Sequence, residues 1–355
     1  MQPHNADLFI FVLAGGSGER FWPLSRKQKP KQLLGLFSER TLLEETLLRV
    51  EGVAPASQIL ILTNEAQKQT LLDALPGISP DRVIAEPAKR DTAPAAALAT
   101  ALAWSQNPDS IVVLLPSDQL VKNIEAFRRN LHDSIRAAAE TKAIVTLAIQ
   151  PTHPATGFGY LELAEEIPAS GSTRFHRVSR FVEKPALEKA QEYLQSGSFQ
   201  WNAGMFIWKA STFLAEAERQ SPELAAFIRN FPKSGADAYI ADKFPTLPKI
   251  SVDYAIMEKA AQVLAARSDF DWDDVGCWTS LADHLPADAS GNVVQGKVIS
   301  LESSGNIVYS PAKTVALCGV SDLIVVETPD ALLVCHRDKV QEIKKLLPAL
   351  PPDLL

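Results

Sequence analysis

Residues 8–34, LFIFVLAGGSGERFWPLSRKQKPKQLL, decide how this chain reads. The stretch opens on LFIFVLA (8–14), an unbroken apolar run of strand length without polar alternation, the pattern of a strand buried on both faces. Gly15, Gly16 and Gly18 follow at once. Lacking Cβ atoms, they let the backbone turn tightly and bring its N–H groups against an anion. Next come five cations, Arg20, Arg26, Lys27, Lys29 and Lys31, with no acid between Arg20 and Lys31 and with Pro23 and Pro30 stiffening the segment. A glycine turn alone is an ordinary tight connection, and a basic run alone is usually a solvated face. Together in one loop, directly after a buried strand, they point to a cradle for a small polyphosphate. The spacing is not that of the nucleotide-binding GxxxxGK[ST] loop, because no Gly-Lys-Ser/Thr follows. Nor is it GxGxxG, and the acid expected about 20 residues later is also misplaced, so a dehydrogenase reading fails.

Outward from this loop, short apolar runs alternate with longer helical patterns. QILILT (58–63), SIVVLLP (110–116) and AIVTLAI (143–149) read as buried strands, and 41–51, 65–74, 92–104 and 124–140 carry apolar residues at helical spacing. Such alternation implies βαβ crossovers and a Rossmann-like α/β fold, a mixed, mainly parallel sheet flanked by helices. Ligands in such sheets sit beyond the carboxyl ends of the strands, near a change in strand order, so the loops there should hold the chemistry. From about residue 151 the pattern becomes mixed, with strands expected at 158–163, 174–182 and 204–208 and helices at 186–195 and 211–217. Near residue 288 it changes again, to short, glycine-punctuated β-branched runs that indicate a small all-β module. A final helix is expected at 339–347, with the tail LPALPPDLL frayed. Two domains follow, 1–287 and 288–355.

Composition narrows the class. Among 355 residues, 42 acids face 35 lysines and arginines, a formal net charge of −7. This acidic balance excludes a nucleic-acid-coating protein, which needs a basic surface, and a 46% hydrophobic composition excludes wholesale disorder. No window approaches about 18 consecutive apolar residues, so no membrane span is expected. The amino-terminal segment lacks a leader's basic region and runs into glycines, which reads as a first core strand and not a signal peptide. Cys277, Cys318 and Cys335 are odd in number and lack CxxC or zinc spacing, so they read as reduced thiols, with a cytoplasmic location as the default. The six histidines form no credible triad or metal spacing.

Further motifs occur in order: EPAKRDTAPA (86–95), LPSDQ (115–119), ATGFGY (155–160), RFVEKP (180–185), WNAGMFIW (201–208), SVDYAIMEK (251–259) and DWDDVGCW (271–278). With GGSGERFWPLSRKQKPKQ (15–32), they resemble the sugar-nucleotide pyrophosphorylases and, within them, the mannose-1-phosphate guanylyltransferases, over roughly residues 9–285. The C-terminal module resembles that family's short left-handed β-helix. The resemblance implies the nucleotide-diphospho-sugar transferase fold. It also implies a reaction in which mannose 1-phosphate attacks the α-phosphorus of GTP in line, giving GDP-mannose and pyrophosphate without a covalent enzyme intermediate.

The same resemblance assigns roles. Gly15, Gly16 and Gly18 line the nucleotide, and Arg20 and Lys31 contact the triphosphate and stabilise the leaving charge; Arg26, Lys27 and Lys29 stay open. Asp118 and Asp274 are expected to hold Mg2+, or another divalent ion such as Mn2+, with Asp271 and Asp273 as competitors for the second position. Glu86 matches the base-contacting position. Guanine offers N1–H and N2–H2 side by side to a carboxylate, an edge that uracil and thymine lack. Arg90 is expected to pair with Glu86 or with phosphate. Asp91 replaces an expected asparagine and is placed to cap the helix from Thr92. Gly159, through its backbone, with Glu183 and Asn202, matches sugar contacts, and Lys184 matches a contact to the sugar phosphate. Trp201 and Trp208 read as core. Phe158 and Cys277 stand where the family often has tyrosine and serine.

Alternatives stay open: another sugar 1-phosphate, such as a manno-heptose or glucose 1-phosphate, another base, or a catalytically silent sugar-nucleotide binder. The presence of Lys31, Asp118 and Asp274 weighs against silence. Some family members carry a further phosphomannose isomerase domain, and none is expected here. The β module is expected to serve either a homodimer contact or packing on the catalytic domain.

Overall fold

In a computed structural model describing residues 8–355, the opening apolar run forms β1 (Leu8–Leu13), with Ile10, Phe11 and Val12 fully buried. The segment 1–7, read above as lacking a leader, lies outside the described residues. The remaining strands of the large sheet are β2 (Ile59–Asn64), β3 (Val83–Glu86), β4 (Ile111–Pro116), β5 (Ile144–Ile149), β6 (Gly159–Ile167), β7 (Phe175–Glu183), β8 (Phe199–Lys209) and β9 (Val263–Arg267). Their order is β3-β2-β1-β4-β8-β5-β9-β7-β6. The sheet is mixed. β3, β2, β1 and β4 run parallel, while the long β8 enters antiparallel between β4 and β5.

The crossover helices begin where short polar side chains cap them. Thr41 and Glu44 form a reciprocal capping box on α1 (Leu42–Val50). Asn64 caps α2 (Glu65–Ala74), Asp91 caps α3 (Thr92–Gln106) as expected, and Asn123 caps α4 (Ile124–Glu140). The alanine-rich α3 is buried almost all round. It lies in one apolar cluster with sheet residues such as Phe11 and Leu114 and with Leu224 and Phe227 from a further helix. Small side chains allow that close packing from both sides.

Strand order reverses at β1, from which the chain goes to β2 and β3 on one side and to β4 on the other. Leu13 pairs with Pro116, and the Ser117 amide donates to the Leu13 carbonyl at 3.0 Å. The glycine-rich loop after β1 and the Asp118 loop after β4 are thereby neighbours at the carboxyl ends of the strands, the crevice predicted by topology.

The C-terminal module comprises β10 (Val293–Leu301), β11 (Ile307–Cys318), β12 (Leu323–Glu327) and β13 (Leu332–His336). The first three pair in parallel and β13 closes the sheet antiparallel. A stack of buried asparagines holds the successive coils. Asn292 Oδ1 accepts from the Asn306 amide at 3.0 Å, and Asn306 Oδ1 accepts from the Leu323 amide at 2.9 Å.

Two expectations for the C-terminus are corrected. The segment expected as a helix at 339–347 is a 3-10 helix, Arg337–Lys345. Its two buried apolar residues, Val340 and Ile343, are three apart, the period of the tighter helix. The tail is not frayed, because it forms 3-10 turns at Leu347–Ala349 and Pro352–Leu354. There the Leu354 carbonyl accepts from Trp22 Nε1 at 2.8 Å and from Arg26 Nη1 at 2.7 Å. The module also shares one apolar cluster with the cationic loop. Phe21, Trp22 and Trp278 pack with Val293, Ile307, Ile324 and Ile343.

If that cluster is a common core, Trp278→Ala should cost about 3–5 kcal/mol in urea unfolding, with the two parts melting in one transition. A loss below about 1 kcal/mol, the scale of an ordinary surface change, would contradict a shared core.

Candidate active site

Lys31 is the centre of the site. Its side chain is only 8% exposed, and a buried ammonium needs charged or strongly polar partners. Lys31 Nζ donates to Asp118 Oδ2 at 2.9 Å and to the Asp274 carbonyl at 2.8 Å. Gly18 permits this placement twice over. Its backbone is left-handed, with φ of 64°, and a Cβ there would overlap the Cβ of Lys31. Gly15 and Gly16, by contrast, border open space at the edge of the cleft.

The loops carrying the two aspartates are clasped directly. The Leu120 amide donates to the Asp273 carbonyl at 2.9 Å, and the Asp273 amide donates to the Leu120 carbonyl at 3.1 Å. Asp271 and Asp273 are committed elsewhere. Asp271 accepts from the Lys122 and Asn123 amides, and Asp273 lies 2.8 Å from His284 Nε2. Asp274 therefore remains to face the cleft.

Two adjoining cavities meet at these aspartates. One, of about 530 Å3, is lined by Gly15, Gly16 and Glu86 and by Gly159, Glu183 and Asn202. The other, of about 600 Å3, is lined by Gly18, Arg20 and Lys31. Asp118, Asp274 and Lys89 border both. Gly15, Gly16 and Glu86, expected at the nucleotide, thus share one cavity with the expected sugar contacts Gly159, Glu183 and Asn202, while Gly18 and the expected phosphate cations line the next and the aspartates stand at the junction.

Burial raises several carboxyls that line the first cavity. Burial, with a smaller contribution from Asp91, pushes Glu86 up to about 8. Burial and the neighbouring Glu183 push Asp253 up to about 7. Burial, reinforced by Asp273 and Asp118 against the opposing Lys31, pushes Asp274 up to about 6. Asn202 Nδ2 donates to Asp253 at 3.3 Å, and its Oδ1 accepts from Thr146 and the Gly204 amide. A Cβ at Gly159 would meet Glu183 Oε2 at 2.6 Å, so glycine keeps that wall open beside the carboxylate.

One expectation is corrected. Arg90 pairs with neither Glu86 nor an anion site. It donates to the Pro245 carbonyl and lines neither cavity. Lys184 also lines neither; it bonds Glu183 Oε1 at 2.6 Å with its side chain 61% exposed, so it stands at the rim. Arg26 leaves the phosphate cavity for Asp330, at 2.9 Å, and the tail. Lys27 and Lys29 are exposed and form no ion pair among the described residues. Trp208 is core, with its indole N–H on Thr100, and Trp201 packs 5.0 Å from Phe158, which itself lines the cavity with Trp272. Sequence reasoning passed over Lys89 and Asp253, although both lie inside quoted motifs (EPAKR and SVDYAIMEK), and it missed Lys344 entirely.

A fold of this kind implies a divalent cation. Among the described residues no group of three or more His, Cys, Asp or Glu forms a cage. Asp118 and Asp274 nevertheless supply hard oxygens to a cleft lined with Arg20, Lys31 and Lys89, and this donor set fits Mg2+, which binds through one or two carboxylates, substrate phosphates and water.

The switch-point crevice with its cationic and carboxylate halves defines a nucleotide-handling transferase. The chain belongs to the nucleotidyl transferase family, whose model matches residues 10–291, and residues 296–350 match the MannoseP isomerase/GMP-like beta-helix domain. It is 39% identical to the xanthan biosynthesis protein XanB of Xanthomonas campestris pv. campestris, over 96% of this chain and 73% of that protein. It is 37% identical to the mannose-1-phosphate guanylyltransferase ManC of Salmonella typhimurium, over 98% and 74% respectively. A solved structure described as mannose-1-phosphate geranyltransferase from Thermus thermophilus superposes with a TM-score of 0.87 at 35% identity, covering 97% of this chain and 99% of that one.

The environment of Glu86 can be read directly. A carbon-detected carboxyl titration of the ligand-free protein should find its midpoint near 8, and a midpoint at the ordinary 4.5 would contradict the buried placement.

Proposed function

We propose that the protein transfers GMP from GTP to α-D-mannose 1-phosphate, releasing pyrophosphate and forming GDP-mannose. The observation that carries this reading is the position of Asp118 and Asp274 at the junction of a carboxylate-lined cavity and a cationic one. Relatives that carry the name mannose-1-phosphate guanylyltransferase match along nearly the whole chain.

In this reading the nucleotide lies across the junction. Its base faces Glu86, its α-phosphate sits by the aspartates, and its β- and γ-phosphates reach Arg20, Lys31 and Lys89. Glu86 is protonated in the empty site at pH 7, because its pKa is about 8. It must lose that proton to accept guanine N1–H and N2–H2 together. A base without paired donors leaves the buried carboxyl unsatisfied, which penalises uracil and thymine. Glu183, Asn202 and the Gly159 backbone hold the sugar, with Asp253 completing that wall. Lys184 offers its ammonium to the sugar phosphate from the rim.

A phosphate oxygen of mannose 1-phosphate then attacks the α-phosphorus, the bond to the β-phosphate bridging oxygen breaks, and pyrophosphate leaves with the electron pair. Bringing two polyanions together is the main Coulomb cost, and the cations of the second cavity offset it while stabilising the leaving group. Asp118 and Asp274 would hold Mg2+, with Mn2+ as a substitute, and the ion when bound supplies Lewis-acid charge at the phosphate oxygens.

We retain residue 287 as the end of the catalytic unit and assign 288–355 to the β module. Ile299, Leu301, Leu332 and Val334 are exposed on its outer strands, which supports a homodimer contact there. The described residues include no helix long and apolar enough to cross a membrane. The cysteines are free, and both features accord with a cytoplasmic enzyme.

In a panel of nucleotides and sugar 1-phosphates, GTP with mannose 1-phosphate should release pyrophosphate at least about 100-fold more efficiently than UTP or dTTP. No release from GTP and mannose 1-phosphate would overturn the assignment, and preference for another sugar phosphate would move it within the family. Asp118→Asn and Asp274→Asn should each lower kcat by about 100-fold or more, whereas unchanged turnover in either would refute the metal-holding role.

A further inference from the structure

The β module reaches the phosphate cavity. Lys344, in the 3-10 helix Arg337–Lys345, lines that cavity with Arg20, Lys31 and Lys89. Its neighbours are neutralised locally, because Lys339 and Lys345 both pair with Glu342, at 3.3 and 3.7 Å. Lys344 makes no ion pair among the described residues. The cavity wall thus gains a fourth cation, set against Glu19 and the two aspartates.

Its placement is built into the fold. Ile343 and Val340, beside it, are anchored in the apolar cluster shared with Phe21 and Trp278. Arg26 fastens the same face from the loop side, through Asp330 and the Leu354 carbonyl, while its guanidinium lies 5.4 Å over the Trp22 ring. A flexible surface lysine would be poorly positioned on an anion. Lys344 is itself exposed, but it projects from a segment clamped to the loop that carries Arg20.

We propose that Lys344 is a binding residue for the β- and γ-phosphates of the nucleotide and for the released pyrophosphate, so that the C-terminal module completes the active site. This inference rests on the guanylyltransferase reading for its substrate, but pyrophosphate binding tests it without turnover. A lysine–phosphate contact is a charge-assisted hydrogen bond, and its loss weakens binding by about tenfold or more.

The experiment is calorimetric titration of the full-length protein with magnesium pyrophosphate, together with steady-state kinetics. Lys344→Ala should weaken pyrophosphate binding about tenfold and raise the KM for GTP by a similar factor, leaving the KM for mannose 1-phosphate unchanged. Lys344→Arg should restore most of the binding, and Lys345→Ala should stay within about twofold of the wild type. Weakened pyrophosphate binding in a wild-type background that does not turn over GTP would keep the inference and discard the guanylyltransferase reading. Unchanged pyrophosphate binding in Lys344→Ala, equal losses for all substrates, or no pyrophosphate binding by the wild type would overturn the inference.

Discussion

The site depends on one buried ammonium. Lys31 joins three segments far apart in sequence: its own cationic loop, the Asp118 loop after β4 and the Asp274 loop. Burying a lysine is costly unless its charge is compensated, and here a carboxylate and a carbonyl both receive it. The arrangement also requires Gly18, since any side chain there would occupy the space of Lys31. One ion pair therefore sets the distance between the phosphate cradle and the carboxylates. The Leu120–Asp273 backbone pairing separately clasps the two aspartate loops to each other.

A second constraint is the clustering of acids in a poorly solvated crevice. Glu86, Asp253 and Asp274 all hold their protons to unusually high pH, with burial the leading cause in each. Such groups are poised for partners that bring hydrogen-bond donors or positive charge, and perturbed carboxyls cluster where ligands bind. In the proposed reaction the base, the sugar hydroxyls and a cation would be partners of that kind.

Much of this was readable in the chain. The glycine-rich loop, the crossover helices and the switch-point location follow from apolar periodicity, caps and turn residues, all local properties. What escaped was decided at long range. β3 and β9 are only four and five residues long, too short to show a period. The direction of Arg90 depends on Pro245, and that of Arg26 on Asp330 and the tail, partners invisible until the chain is folded. The tail itself carries the prolines and polarity of a loose end, yet Trp22 and Arg26 give its Leu354 carbonyl two donors. Lys344 stands in no motif and enters the site only because the module packs against the cationic loop.

The cationic loop is thus held from both sides, by the large sheet through Lys31 and by the β module through Arg26 and the shared apolar cluster. In the proposed reaction the substrate spans the junction between the two cavities. The most direct test is a crystal structure with a non-hydrolysable GTP analogue, mannose 1-phosphate and Mg2+. Guanine should lie on Glu86, the metal at Asp118 and Asp274, and the β- and γ-phosphates in the cavity of Arg20 and Lys31. A nucleotide lying in one cavity alone, or a metal touching neither aspartate, would contradict that placement.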